Sequence, residues 1–98
     1  MMYKSETTIN MPTTGWEVNV EPVSPGEILQ EEFLTPMNMS QSQLAKKIDC
    51  DVKTINKICK GHTGITAKTA LGLAKVFGTT PEFWLNLQMA TDLWHARN

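Results

Sequence analysis

The sequence predicts an all-α domain of five helices over residues 23–98, behind an N-terminal tail, residues 1–22, that is able to form one short strand. Three observations lead there. Helix-start residues recur at Ser24, Ser40, Asp51, Thr66 and Thr80, each followed by apolar residues at helical spacing. Stop signals, Pro36, Gly61 and Gly78, fall where those patterns end. A short period-2 alternation, Trp16, Val18 and Val20 between Glu17, Asn19 and Glu21, lies in the tail, where a lone strand has nothing local to pair with.

Helix 1 is expected near residues 25–35. Ser24 is its N-cap, Pro25 fits the first helical position, and Glu27 is placed to close a capping box. Ile28, Leu29, Phe33 and Leu34 form its apolar stripe. Ser40 and Gln43 make a second capping box for helix 2, roughly 41–48, with Leu44, Ala45 and Ile48 inward. Asp51 caps helix 3, in which Val52, Ile55, Ile58 and Cys59 follow. Helix 4 starts after Thr66, with Ala67, Ala70, Leu71, Ala74 and Phe77 expected to face the core. Thr80 and Pro81 open helix 5, which can run to about residue 96.

Composition excludes several classes. No run of 18 apolar residues exists, so no segment is expected to span a membrane. The opening MMYKSETTIN lacks the apolar core of a secretory signal, and cysteines used as small hydrophobes suit a reducing cytosol, so a cytoplasmic protein is expected. Cys50 and Cys59 stand nine residues apart inside helical patterns; they read as small hydrophobes, not as a disulfide or zinc site. His62 and His95 have no ligand spacing. No nucleophilic triad order, phosphate loop or aspartate pair is present, so no enzyme, metal or cofactor is expected.

A net charge of −1 argues against nucleic acid, but its distribution argues the other way. Residues 1–36 carry Lys4 against six glutamates; residues 40–68 carry six lysines, Lys46, Lys47, Lys53, Lys57, Lys60 and Lys68, against Asp49 and Asp51. A local cationic surface of this kind suits phosphate.

The run from Gln41 to Lys60 has the parts of two short helices crossing steeply through a tight turn, a helix-turn-helix. Ala45 is small where the second helix must come close. Leu44, Ile48, Cys50, Ile55 and Ile58 plug the angle between the helices. Asp49 stands where glycine is usual, and aspartate is among the few residues that tolerate a left-handed backbone. Val52, Lys53, Thr54, Asn56 and Lys57 are then the candidate base-reading residues. Lysine donates to guanine acceptors, asparagine pairs with adenine, and a valine methyl meets the thymine methyl. Gln41, Lys60, His62 and Thr63 are placed for backbone phosphates. The plain alternative is a helical hairpin with a solvated lysine face.

This run resembles an Xre/Cro-type helix-turn-helix of the lambda-repressor-like fold. The longer stretch from Pro25-Gly-Glu-Ile-Leu through Gly64-Ile-Thr-Ala-Lys-Thr-Ala-Leu to Pro81-Glu-Phe-Trp-Leu-Asn-Leu-Gln88 resembles the HigA antitoxin family, also called VapI-like, over residues 22–96. Asp49 and the lack of arginine in helix 3 depart from common members and leave the operator sequence open. The resemblance implies a homodimer that represses its own operon on double-stranded operator DNA. It also implies a partner, the HigB toxin, a RelE-like ribosome-dependent mRNA endonuclease.

Two further expectations follow. On helix 5, Phe83, Trp84, Leu87, Ala90 and Trp94 share one broad face, while Leu85, Met89 and Leu93 form a second stripe. One core needs one stripe, so the second is expected to meet another subunit; otherwise helices 1 and 4 wrap it. The acidic tail, with Ile9, Met11, Trp16, Val18 and Val20 as apolar anchors, suits a basic ribonuclease toxin. Glu27, Glu31 and Glu32 of helix 1 offer another route to that partner, and a tail folded on its own domain is the plain alternative. Rival functions are a protein-only interaction module, a small enzyme, and a phage-type or stand-alone repressor without a toxin.

Overall fold

A computed structural model describes residues 20–98, and these form five helical segments with no strand among them. The strand expected at 16–20 lies, except for Val20, outside the described residues, as do Ile9, Met11, Trp16 and Val18. Val20 itself is 75% exposed.

The helices begin where local chemistry dictates. Helix α1 opens as an α-helical turn, Pro25–Ile28, and continues as a π-helical turn, Leu29–Leu34. Ser24 Oγ accepts from the Glu27 amide at 3.2 Å, so the cap forms, though only this half of the expected box is made. Pro36 has no N–H, and its ring would strike the carbonyl four residues back in a continuing helix. The chain answers by widening: the Thr35 and Met39 amides reach the carbonyls five residues earlier, Gln30 and Leu34. Helices α2 (Gln41–Lys47), α3 (Val52–Cys59), α4 (Ala67–Phe77) and α5 (Pro81–Arg97) follow. Gly61 and Gly78 take positive φ just past α3 and α4, the left-handed stops their positions predicted.

The core is Leu29, Leu34, Leu44, Ala45, Ile55, Ile58, Ile65, Ala70, Leu73 and Trp84, drawn from every helix and the α3–α4 loop. Trp84 is its largest member and fully buried. Its indole N–H donates to Thr79 Oγ1 at 2.8 Å, so burial leaves no polar atom wanting. Phe33 lies with its ring centroid 5.2 Å from Trp84 and 4.8 Å from Phe77, which seals α1 against α4 and α5.

Helix α4 is rotated from its expected phase. Leu71, expected inward, is 58% exposed, and Ala67 is also exposed; Leu73, not expected in the core, is wholly buried. The inner line is Ala70, Leu73 and Phe77, which keeps the three-to-four spacing that one helix face requires.

Gly26 explains part of the Pro25-Gly26-Glu27 opening. A Cβ there would run into the carbonyl oxygen of Ile58 and lie 3.0 Å from the Cα of Cys59. The first turn of α1 therefore rests directly on the last turn of α3, backbone to backbone. Gly26→Ala is expected to destabilise the domain by about 2 kcal/mol or more, since neither backbone can yield cheaply. A urea titration reads this, and an unchanged midpoint would contradict the contact.

Candidate nucleic-acid interface

The α2–turn–α3 segment is fixed at each end. Ser40 Oγ accepts from the Gln43 amide at 3.0 Å while the Gln43 side chain accepts from the Ser40 amide at 2.8 Å, a complete capping box. Asp49 occupies the turn with φ 55°, the left-handed conformation for which aspartate is suited. Asp51 Oδ1 accepts from the Lys53 amide at 2.8 Å and starts α3. Leu44, Ala45, Ile55 and Ile58 are buried in the angle, with Ile48 and Cys50 half-buried beside them. Burial, then the carboxylates of Asp51 and Asp49, push the Cys50 thiol up against the opposing pull of Lys68. Burial alone raises Cys59. Both cysteines are free thiols that stay protonated at neutral pH.

What remains of α3 faces outward. Val52, Lys53, Thr54, Lys57 and Lys60 are exposed, and Asn56 is half-buried. Gln41, Val52, Lys53, Asn56 and Lys57 line one shallow concavity of about 360 Å³. Five of the nine residues proposed from the sequence to touch nucleic acid thus come together on one surface. Thr54 stands at its flank, about 100° around α3 from Lys53. Lys60, His62 and Thr63 continue outward past the helix end and are exposed, but do not line the concavity.

The loop carrying His62 and Thr63 is held from behind. Gln88 Oε1 accepts from the Ile65 amide at 2.8 Å, and Gln88 Nε2 donates to Asp92 Oδ1 at 2.9 Å. Gln88 and Trp84 are two of the residues that carry the resemblance in Pro81–Gln88. Their work is architectural: Trp84 fills the core and Gln88 fastens the loop after α3 to α5.

A chain of side-chain amides crosses the front of the site. Asn56 Nδ2 donates to Gln41 Oε1 at 3.1 Å. Gln41 Nε2 donates to Gln30 Oε1 at 3.2 Å, and Gln30 Nε2 donates to Thr35 Oγ1 at 3.1 Å. Sequence reasoning gave Gln30 no role. A glutamine on a helix surface carries no local signal, and its partners lie 5 and 11 residues away.

The second stripe of α5 divides. Leu85 is half-buried and packs against the core, while Met89 and Leu93 are 55% and 45% exposed. Among the described residues no helix is long and apolar enough to cross a membrane, and no cluster of three or more His, Cys, Asp or Glu could hold a metal ion.

A family model described as helix-turn-helix matches residues 30–84. The chain is 53% identical over 74 residues to an uncharacterized HTH-type transcriptional regulator of Haemophilus influenzae, covering 76% of this chain and 69% of that one. It is 46% identical over 77 residues to antitoxin HigA-1 of Vibrio cholerae, covering 79% and 72%. Among solved structures it is similar to Pseudomonas aeruginosa antitoxin HigA with higBA promoter, at a TM-score of 0.74 and 39% identity, covering 76% of this chain and 82% of that one. The tight α2–Asp49–α3 turn, the outward lysine face and these likenesses agree: the chain belongs to the helix-turn-helix family, among the relatives of the HigA antitoxins.

Proposed function

We propose that this chain is a dimeric, DNA-binding antitoxin that represses its own operon and neutralises a HigB-like, mRNA-cleaving toxin. The observation that carries the DNA half is the concavity on α3. A rod with a buried side and an outward row of Lys53, Asn56 and Lys57 has the shape and donors to enter a major groove. In this reading Val52, Lys53, Thr54, Asn56 and Lys57 meet base edges, and Gln41, Lys60, His62 and Thr63 hold phosphates. The P. aeruginosa relative solved with its promoter supports the same use of the fold.

Dimerisation is assigned to Leu85, Met89 and Leu93. An exposed methionine and leucine one turn apart on a long terminal helix are apolar area that a second copy would remove from water, each side chain being worth roughly 1.5–3 kcal/mol when buried. Two copies also double the phosphate contacts that a near-neutral monomer makes. Met89→Glu with Leu93→Glu is expected to convert dimers to folded monomers at micromolar concentration. Sedimentation equilibrium reads this, and an undiminished dimer would move the interface elsewhere.

Toxin neutralisation is assigned to the tail, residues 1–22, as a unit separate from the 23–98 domain, with Ile9, Met11, Trp16, Val18 and Val20 as anchors. Deleting residues 1–21 tests it: unchanged toxin affinity would shift the contact to Glu27, Glu31 and Glu32 on α1. A cytoplasmic site of action accompanies this function. A second reading, a stand-alone repressor without a toxin, is favoured by the relative known only as a transcriptional regulator. One gel-shift with the chain's own upstream DNA, with and without the adjacent gene product, separates the two. The antitoxin reading expects a shift that the second protein alters, and no shift with either addition would contradict both.

A further inference from the structure

We infer that Gln30 is a positioning residue for base reading: through Gln41 it fixes the amide of Asn56 so that α3 presents one acceptor and one donor outward, the pair that fits adenine. This rests on the DNA-binding reading above. The amide chain has a direction. Thr35 Oγ1 accepts from Gln30, Gln30 accepts from Gln41, and Gln41 accepts from Asn56. One N–H of Asn56 is thereby spent inward. Its second N–H and its Oδ1 are left for the concavity that Asn56 helps to line. Those two groups match the N7 acceptor and N6 donor of adenine in the major groove.

The π turn makes the arrangement possible. In an α-helix, residues five apart point well away from each other. The wider turn brings Thr35 over Gln30, so that the Thr35 amide donates to the Gln30 carbonyl at 3.0 Å while its hydroxyl accepts from the Gln30 side chain. Gln30 is thus held at both backbone and side chain before any nucleic acid arrives. An asparagine alone on a helix turns its amide freely and shows either face. Here, fixing the orientation before binding removes an ordering cost at the moment of contact and excludes the face with two donors. Run in the opposite sense, the same chain would turn Asn56 Oδ1 inward to accept from Gln41 and leave both of its N–H groups outward, which suits the O6 and N7 acceptors of guanine.

The test uses the full chain and its own upstream operator duplex, read by fluorescence anisotropy. Each adenine of one half-site is replaced singly by 7-deazaadenine, and each guanine by 7-deazaguanine. The wild-type protein should lose about fivefold in affinity at one adenine, the loss of one of two hydrogen bonds. In Gln30→Ala that penalty should shrink to less than about twofold, while penalties at other positions stay as they were. Gln30→Glu should restore it, because the carboxylate still accepts from Gln41 and the Thr35 hydroxyl turns to donate. Thr35→Val, at an exposed position, should weaken it while leaving the urea midpoint where it was. Equal adenine penalties in wild type and Gln30→Ala, no adenine penalty in wild type, or a penalty moved by Gln30 only at a guanine would each overturn the inference. Failure of the wild type to bind the operator at all would instead remove the DNA-binding reading beneath it.

Discussion

Alanine at both Lys53 and Lys57 is expected to lower operator affinity by on the order of a thousandfold. In the proposed dimer four lysines are lost, each worth about 1 kcal/mol at a base edge or phosphate, and each 1.4 kcal/mol is tenfold. The dependence of affinity on salt should flatten, because counterions displaced by those lysines are no longer released. Both side chains are exposed, so the thermal midpoint should not move. Lys75, exposed on α4 away from the concavity, is the control: its alanine variant should bind as the wild type does. Equal losses from both variants would mean that charge acts diffusely rather than through α3.

Trp84→Ala is expected to cost about 3–5 kcal/mol, the range for removing a large aromatic side chain from a core. The cavity would open where α1, α4 and α5 meet. Phe33 would lose its neighbour at 5.2 Å, and the Thr79 hydroxyl would lose its donor. Domains of this size have only about 5–15 kcal/mol in total, so the variant should unfold at low urea and lose operator binding through folding alone. A shift below about 1 kcal/mol would mean that Trp84 is not the keystone of the core.

Helix starts were legible in the sequence because their chemistry is local: Ser40, Asp51, Thr66 and Thr80 each bind an amide two or three residues on. The turn was legible for the same reason, since Asp49 alone supplies the left-handed residue between α2 and α3. The phase of α4 was harder to read. Its Ala67, Ala70, Leu71, Leu73, Ala74, Val76 and Phe77 spread apolar residues over more than half of the helix circumference, and only packing against the other helices decides that Leu73 goes in and Leu71 out. Gly26 and Gln30 were invisible for a further reason. Each matters through a contact far along the chain, Gly26 with Ile58 and Gln30 with Gln41, and neither residue type announces such a partner. The π turn belongs with these. Pro36 foretold that α1 would stop, but not that its last turn would widen first.

Methylation interference on the chain's own upstream DNA tests most directly whether α3 reads the major groove. Dimethyl sulfate marks guanine at N7 in the major groove and adenine at N3 in the minor groove. Loss of binding should follow guanine methylation in two half-sites about one helical turn apart. Interference confined to adenine N3, or absent from both grooves, would place the outward face of α3 off the bases and contradict the account.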